Sequence, residues 1–219
     1  IQLSAERIAR KCLDTPMVAT TAAGIHTSVS PEQSKRIVKE GTDTILREVQ
    51  SLKSMVDEFS RFARLPNAKL ETGNINEVIS QAVAMYEDRF EDINIETNLA
   101  AILPDAMIDA EQLKRVFVNL IENSIEAFDE TADDKTITVS SRHDMARDLI
   151  VIELSDNGKG IAPGDMQKLF QPYFSTKGRG TGLGLAIVNR IVSEHRGKIK
   201  VVAHQPSGAK FIIELPVGS

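Results

Sequence analysis

The sequence predicts an α+β protein in which an antiparallel helical hairpin is followed by an α/β sandwich. Residues 31–65 carry apolar side chains at mixed spacings of three, four and seven, which is typical of the seam of a helical bundle. After Pro66, segments with helical periodicity interleave with strands that alternate apolar and polar residues. The length of 219 residues suits two modest domains, which we expect at residues 1–66 and 67–219.

The first part of the hairpin is expected to be the end of one helix followed by a loop. Residues 1–13 have one apolar face, and this periodicity stops over residues 14–30. Ser30, Pro31 and Gln33 then supply a hydroxyl cap, a proline at the first helical position and an amide that can reach back. Such a start signal stabilises a helix by about 1 kcal/mol, so the second helix is expected to begin here.

The second helix is expected to end at Leu65, because the residue before Pro66 disfavours the helical conformation. A helix of this length cannot bury its apolar stripe alone, so we expect a homodimer through the N-terminal helices, arranged as a four-helix bundle. The alternative is a monomeric hairpin packed on its own C-terminal domain. The stripe comprises Val38, Ile45, Val49, Leu52, Val56, Phe59 and Ala63.

The C-terminal part is expected to form one mixed sheet covered on one face by helices. Two hairpins are expected within it, one with a charged turn at residues 143–148 and one with turn-forming residues at 204–209 between its strands. Helices are expected at residues 76–90, at residues 109–128 and from residue 185 onward. Strands are expected at residues 93–99, 107–108, 137–142, 149–154, 198–203 and 210–215.

A glycine-rich loop runs directly into the last of these helices. Gly178, Gly180, Gly182 and Gly184 would destabilise any helix or strand that they interrupted, so we place them in a loop. The bare N–H groups at the helix start, the helix dipole, and the charges of Lys177 and Arg179 predict a polyphosphate site. The alternative is a flexible linker or a set of tight turns. Neither the Walker nor the dinucleotide-binding pattern is present.

Three other segments could carry chemistry, each with an ordinary structural alternative. Asn119 and Asn123 lie at i and i+4 on one helix face and could hold a hydrated Mg²⁺, although such a pair is often solvated or capping. Asp156 begins an Asp-x-Gly-x-Gly run that could accept the adenine amine, or could simply form a tight turn. Residues 170–176 contain three aromatic residues and a proline and suit a lid over a ligand, or ordinary core.

In this order, these segments resemble the catalytic and ATP-binding domain of two-component sensor histidine kinases. These kinases share their nucleotide fold, of the histidine-kinase ATPase (Bergerat) type, with gyrase, the chaperone Hsp90 and the mismatch-repair protein MutL. Residues 119–127 match the N box, 156–160 the first glycine box, 170–174 the F box and 180–184 the second glycine box. Residues 1–66 look like the dimerisation and histidine-phosphotransfer hairpin. Its end, over residues 56–66, is similar to nitrogen-regulation kinases of the NtrY type.

The resemblance implies ATP and Mg²⁺ as cofactors. It implies that Asn123, with Asn119, holds Mg²⁺ and that Asp156 reads the adenine amine. Phosphate contacts are implied for Lys177, for Thr181 and for the amides that follow. The full implied binding set is Asn119, Asn123, Asp156, Gly158, Gly160, Ile161, Phe170, Phe174, Thr176, Lys177, Arg179, Gly180, Thr181, Gly182, Leu183, Gly184 and Leu185.

The chain departs from the family pattern in three places. Glu126 stands where many members have a basic residue, so phosphate charge is expected to rely on Lys177 and Arg179. Residues 207–211 replace a common Gly-Thr-Thr-Phe run. The phosphoacceptor His-Glu motif is absent, and the four histidines are expected at the surface or at caps. This fragment is therefore expected to bind ATP without phosphorylating itself, and the catalytic base and phosphoacceptor are not identified.

In the intact protein, the γ-phosphate is expected to pass to a histidine upstream of Ile1 and then to a response-regulator aspartate. Two other functions stay open: an ATPase of the gyrase type, for which Glu122 is a poorly placed base, and a dimeric module that docks a response regulator and senses nucleotide.

Composition limits the compartment and the partners. No apolar run is long enough to span a bilayer, although the full-length protein is expected to be a membrane-anchored sensor with a cytoplasmic kinase core. The single cysteine, Cys12, cannot form an internal disulfide and fits a reducing compartment. The net charge is −5 and no basic face is evident, so nucleic acid is not expected as a partner.

Overall fold

A computed structural model describes residues 19–20, 26–27, 31–63, 66–86, 89–90, 92–129, 131–132, 134–175 and 181–218. The chain divides into two compact units, Ile1–Ala63 and Arg64–Ser219.

In the first unit, the structure describes a long helix, α1, at Pro31–Ala63. Its 33 residues span about 50 Å at 1.5 Å per residue. The helix starts at the predicted proline, while its predicted last residue, Leu65, and the predicted helix at residues 1–13 lie outside the described residues. Within the predicted loop, β1 (Ala19–Thr20) and β2 (His26–Thr27) pair in antiparallel fashion, which the sequence analysis did not anticipate.

The second unit is built on a five-stranded mixed sheet. The strand order is β4-β6-β7-β9-β8, with β4 parallel to β6 and the remaining pairs antiparallel. The mixed sheet expected from the sequence is therefore confirmed. Its strands are β4 (Asn94–Asn98), β6 (Thr136–Asp144), β7 (Leu149–Asp156), β8 (Lys198–Ala203) and β9 (Ala209–Pro216).

Three helices form the core with this sheet: α2 (Ile75–Val83), α3 (Ala110–Ile125) and α4 (Gly184–Glu194). The helix α3 packs against both α2 and α4, while α3 also contacts β7 and α4 contacts β8. Alternate strand residues are buried, because side chains along a strand point to opposite faces. The fully buried side chains include Phe117, Leu120, Ile121, Ile152, Leu154 and Ile191.

The helix predicted at residues 76–90 is shorter in the structure, since α2 ends at Val83. Asn74 caps its start by accepting a hydrogen bond from the backbone N–H of Asn76 at 2.8 Å. At the other end the N–H of Tyr86 bonds the Val83 carbonyl at 2.9 Å, and the Tyr86 side chain is buried. Tertiary packing of this ring thus turns the chain where helical propensity alone would continue it.

A separate two-stranded sheet pairs β3 (Glu71–Gly73) with β5 (Ala106–Ile108) in antiparallel fashion. The short strand at residues 107–108 was predicted, whereas β3 was missed because three residues carry too little alternation to be recognised.

The predicted start of α3 is confirmed, since Asp109 caps it by accepting a hydrogen bond from the Gln112 amide at 3.1 Å. Its predicted end at residue 128 was wrong by three residues. The chain leaves the helix at Ile125, and the Ala127 carbonyl accepts a bond from the Lys159 amide at 3.1 Å instead.

Both predicted hairpins are confirmed. The strand β8 has the predicted bounds, whereas β6, β7 and β9 extend beyond theirs. At the β6–β7 turn, the Arg147 Nε donates to the Asp144 carboxylate at 2.8 Å, and Asp148 adopts a left-handed conformation with φ of 53°. The pairing of β6 with β7 therefore continues to Asp144 and Leu149, beyond the apolar residues from which the strand at residues 137–142 was predicted.

Candidate functional site

The last residue of β7, Asp156, is a buried carboxylate with three hydrogen-bond donors around it. Its Oδ1 accepts bonds from the backbone N–H of Gly158 at 3.0 Å and of Ala209 at 3.3 Å. Its Oδ2 accepts the Ser124 hydroxyl at 3.2 Å, which connects β7 to α3. A carboxylate has about four acceptor positions, so this set leaves capacity for one further donor.

Burial raises the pKa of the Asp156 carboxyl above its ordinary value, because the side chain is only 2% exposed. The bonds from Gly158, Ala209 and Ser124 favour the charged form and oppose this rise. The balance makes Asp156 an organised acceptor that would gain from one more hydrogen bond, such as one donated by an amine.

Three glycines around Asp156 allow the chain to pack too closely for any other residue. A Cβ on Gly158 would lie 2.8 Å from the Ala127 carbonyl oxygen. Gly160, with φ of 71°, and Gly208, with φ of 110°, both adopt conformations that side chains disfavour. A Cβ on Gly208 would lie 1.8 Å from the Asp156 carbonyl oxygen. The Asp-Gly turn is therefore held directly against the loop between β8 and β9.

The two asparagines of α3 are fixed by bonds to their own helix. Asn119 Nδ2 donates to the Arg115 carbonyl, and Asn123 Nδ2 donates to the Asn119 carbonyl, both at 2.8 Å. Because those carbonyls can only accept, the amide oxygens must point the other way. The Asn119 Oδ1 lies so close to α4 that a Cβ on Gly184 would be 2.9 Å from it. The structure thus brings the asparagine helix and the second glycine segment together.

The start of α4 has the geometry of an anion site. Leu183 is fully buried and precedes the helix, and no side-chain hydrogen bond caps the helix start. The Leu183 amide donates weakly to the Thr181 hydroxyl at 3.4 Å. Gly184 and Leu185, in the first turn, are half-buried. Backbone N–H groups at such a helix start and the helix dipole both favour a bound anion.

The aromatic segment and the second glycine segment meet at a backbone hydrogen bond. Tyr173 N–H donates to the Gly182 carbonyl at 3.0 Å, and both residues have positive φ, of 66° and 69°. Phe170 and Phe174 are half-buried, and Tyr173 is 56% exposed. The side chain that packs into the core is that of the preceding Leu169, which is 9% exposed. Ile161 is also half-buried. Four predicted contact residues lie outside the described residues: Thr176, Lys177, Arg179 and Gly180.

The oxygen ligands that α3 offers fit a magnesium-bound nucleotide better than a metal held by the protein alone. In the described part of the chain, no group of three or more His, Cys, Asp or Glu side chains could hold a metal. The two carboxamide oxygens of α3 are hard ligands, which suit an ion that takes its other ligands from water and phosphate. The residues present therefore fit Mg²⁺ carried by a triphosphate.

Two donors to Asp156, the Ser124 hydroxyl and the Ala209 amide, were not predicted from the sequence. Ser124 could have been noticed because a polar residue stands on the apolar face of α3, where it is 1% exposed. The backbone amide of Ala209 carries no side-chain signal.

Of the histidines, His195 caps α4 as expected, but it is buried and not at the surface. Within the segment that replaces Gly-Thr-Thr-Phe, the Ser207 hydroxyl donates to the Asn157 carbonyl at 3.1 Å.

The fold is that of the histidine kinase and gyrase class of ATPases. Residues 108–219 match the family model described as histidine kinase-, DNA gyrase B-, and HSP90-like ATPase, and the chain belongs to this family. The resemblance to sensor histidine kinases seen in the motifs is therefore confirmed.

The curated proteins to which this chain is similar include sensor kinases. It is 34% identical to the nitrogen regulation protein NtrY of Azorhizobium caulinodans, over 92% of this chain and 24% of that protein. It is 33% identical to the sensor histidine kinase ZraS of Salmonella typhimurium, over 81% of this chain and 38% of that protein. The chain thus spans only a quarter to two fifths of the length of these relatives.

Solved structures agree on the fold. The catalytic domain of the histidine kinase ThkA is 30% identical, with a TM-score of 0.61, over 68% of this chain and 97% of that chain. Full-length ShkA in complex with AMPPNP has a TM-score of 0.66 at 22% identity, over 97% of this chain and 42% of that chain. The similarity to ShkA, at 22% identity, shows the fold alone.

None of the described helices is both long and apolar enough to cross a membrane.

Proposed function

We propose that this chain is the kinase core of a sensor histidine kinase that binds Mg-ATP. In the intact protein it transfers the γ-phosphate to a histidine upstream of Ile1, and from there to an aspartate of a response regulator. The observation that carries this proposal is the buried Asp156 carboxylate, held by three donors between α3 and the glycine turn. Such an acceptor suits the exocyclic amine of adenine.

Each part of the site has a distinct task in this proposal. Asp156 accepts the adenine amine, and Gly158 and Gly160 let the turn that follows it pack closely against Ala127 and Gly208. The carboxamide oxygens of Asn119 and Asn123 orient the metal. The amides at the start of α4, with Thr181, hold phosphate oxygens, and Lys177 and Arg179 add positive charge there.

Catalysis consists mainly of positioning and charge neutralisation. Phosphoryl transfer needs little covalent chemistry from the protein, so correct placement of the phosphate and exclusion of water dominate. Mg²⁺, when bound, supplies neutralisation of the charge that develops on the phosphate oxygens. Glu122 is exposed and faces the phenol of the buried Tyr86, so it is not placed as the base that an ATPase of the gyrase type requires.

The N-terminal residues complete the proposal as a dimerisation and phosphotransfer hairpin at residues 1–66, followed by the catalytic domain at residues 67–219. The apolar side chains Ile45, Leu52 and Val56 of α1 are more than half exposed in the single chain, which supports a homodimer. A related kinase, ThkA, was solved in complex with the response regulator protein TrrA, and a receiver domain is the partner proposed here. The compartment proposed is the cytoplasm, with the full-length protein anchored in a membrane.

Calorimetry with a non-hydrolysable ATP analogue and Mg²⁺ tests the nucleotide site. We expect wild-type protein to bind and Asp156→Asn to lose at least about tenfold in affinity, since the amide cannot accept at the position that faces adenine. The matched control is Asp148→Asn, in the turn just before the same strand. No heat with the wild type, or equal loss in both variants, would refute the proposal.

A second assay separates the kinase from its alternatives. A chain extended upstream of Ile1 is mixed with labelled ATP and Mg²⁺. Label on histidine supports the kinase, steady phosphate release without labelled protein supports an ATPase, and binding without either supports a nucleotide-sensing docking module.

A further inference from the structure

A buried histidine joins the two helices that form the nucleotide site. His195 ends α4 and is only 2% exposed. Its Nε2 lies 2.9 Å from the backbone nitrogen of Asp109, the residue that caps α3. Its Nδ1 lies 2.8 Å from the Ile191 carbonyl oxygen, one turn earlier in α4. Both ring nitrogens are therefore engaged.

The two partners determine the protonation state of the ring. The Asp109 backbone N–H can only donate, so Nε2 must carry a lone pair. The Ile191 carbonyl can only accept, so Nδ1 must carry the proton. The imidazole is thus neutral in one tautomer, and a second proton on Nε2 would face the Asp109 N–H with no acceptor between them.

The neighbouring charged groups do not take the place of His195 in accepting the bond from the Asp109 amide. The carboxylate of Asp109 is engaged elsewhere, since its two oxygens accept the amides of Gln112 and Lys69. Along the chain, Glu194 pairs with Arg190 at 3.0 Å and Arg196 is exposed. The neutral ring is therefore what connects the end of α4 to the start of α3.

The packed helices α3 and α4 share, among their contacts, two that lie at opposite ends of α4. At one end His195 meets Asp109, and at the other Gly184 meets the Asn119 side chain. The two contacts are ten residues apart along α3 and eleven along α4, which corresponds to about 15 Å and about 17 Å. The helices therefore run antiparallel with matched lengths between the contacts. Fixing one contact fixes the axial position of the other.

We propose that His195 is a positioning residue for the nucleotide site: by holding the end of α4 on Asp109, it sets where the phosphate-binding start of α4 lies relative to Asn119. This inference rests on the proposed function, because it assigns a nucleotide to that site. A small axial shift of α4 moves the amides near Gly184 away from the asparagine pair, and misplacement by about 1 Å can cost a site much of its function.

The same junction receives the segment that enters the domain. The Lys69 amide donates to Asp109 at 3.0 Å, and the Gln112 side chain donates to the Pro66 carbonyl at 3.1 Å. This segment follows α1 in the sequence. The bond from Asp109 to His195 therefore also connects α4 to the segment at residues 66–69.

Two substitutions separate the hydrogen bond from the volume of the side chain. His195→Gln keeps a neutral acceptor at the distance of Nε2, whereas His195→Leu fills similar space without an acceptor. In calorimetry with a non-hydrolysable ATP analogue and Mg²⁺, we expect the leucine variant to bind about tenfold more weakly and the glutamine variant within about twofold of wild type. If the leucine variant does not fold, His195→Asn replaces it, because asparagine reaches Ile191 but not Asp109. Equal affinity of the folded leucine variant and the wild type would overturn the proposal.

Nuclear magnetic resonance without nucleotide distinguishes this proposal from the nucleotide assignment itself. The ¹⁵N shifts of His195 should show the Nδ1–H tautomer, and the Gly184 amide resonance should move in the leucine variant but not in the glutamine variant. If these signatures hold while no variant binds nucleotide, the proposed function fails and the coupling of the helices stands. An unmoved Gly184 resonance in the leucine variant would refute the coupling.

Discussion

The backbone N–H of Tyr173 donates to the carbonyl of Gly182 at 3.0 Å, so the aromatic segment and the second glycine segment are joined at one point. Both residues have positive φ, which is uncommon for tyrosine. A Cβ on Gly182 would lie 2.6 Å from the Tyr173 carbonyl carbon and 2.8 Å from the Phe174 nitrogen. Only glycine permits this approach.

Gly182→Ala should therefore disturb both stability and nucleotide binding. The added methyl group meets backbone atoms that cannot move aside cheaply, and the conformation itself disfavours a side chain. We expect a loss of about 1–3 kcal/mol in the free energy of unfolding by urea titration. The control is Gly164→Ala, where a Cβ would meet nothing within 4 Å. Similar stability for both variants would contradict the importance of this junction.

Asp156→Asn should make the unliganded protein more stable at neutral pH while it weakens nucleotide binding. Burial raises the pKa of Asp156 in the folded state, so the folded protein takes up a proton more readily than the unfolded chain. The stabilising contribution is complete below the unfolded pKa, near about 3.9, and is lost as the pH rises through the folded pKa. Asparagine mimics the protonated side chain at every pH.

The measurement is the urea midpoint of both proteins at several pH values without nucleotide. The variant should have the higher midpoint at about pH 7, and the difference should shrink as the pH falls toward the range where carboxyls protonate. A wild type that is more stable than the variant at neutral pH would show that the three donors outweigh the cost of burial.

Ser124→Ala should weaken binding indirectly. The Ser124 hydroxyl donates to Asp156 at 3.2 Å in the buried interior, and its loss leaves the carboxylate with two backbone donors. We expect a destabilisation of about 1 kcal/mol and a further rise in the pKa of Asp156. Nucleotide affinity should then decline at a higher pH than in the wild type. Ser193→Ala, an exposed serine on α4 that bonds its own helix, is the control.

Local chemistry explains which elements could be predicted from the sequence. The start of α3 was found because Asp109 is a cap followed by apolar residues at helical spacing, and both signals lie within a few residues. The end of α2 was placed too late because the burial of Tyr86 is a tertiary effect that has no local signal. The strand β3 exists only through its pairing with β5.

In the candidate site, too, residues with a local sequence signal were predicted, and contacts between residues distant in the sequence were not. Asp156 and the asparagines were predicted because their residue types and spacing match known boxes. Two of the donors to Asp156 were not, because Ser124 and Ala209 lie 32 and 53 positions away in the sequence. The role of His195 depends on a contact 86 positions distant, which no periodicity reveals.

Glu214→Gln should reduce stability at neutral pH and have little effect in acid. Arg147 and Lys200 lie 3.1 Å and 3.4 Å from the Glu214 carboxylate and, with the Arg147 bond first, hold its pKa below the ordinary value. The contribution is present above the unfolded pKa, near about 4.3, and is lost as the pH falls through the folded pKa. Urea midpoints from about pH 7 to about pH 3 test this, with the exposed Glu71→Gln as control.

Leu52→Asp should separate the proposed dimer into monomers. Ile45, Val49, Leu52 and Val56 follow each other on α1 at spacings of four, three and four, so they share one helix face. Leu52 is 59% exposed in the single chain, and burying a leucine contributes about 1.5–3 kcal/mol. Two copies meet in a symmetric dimer, so the dissociation constant should rise by at least about a hundredfold. Sedimentation at a series of concentrations measures it, with the nearby exposed Gln50→Asp as control. A wild type that stays monomeric at high concentration, or a control that dissociates equally, would place the dimer contact elsewhere.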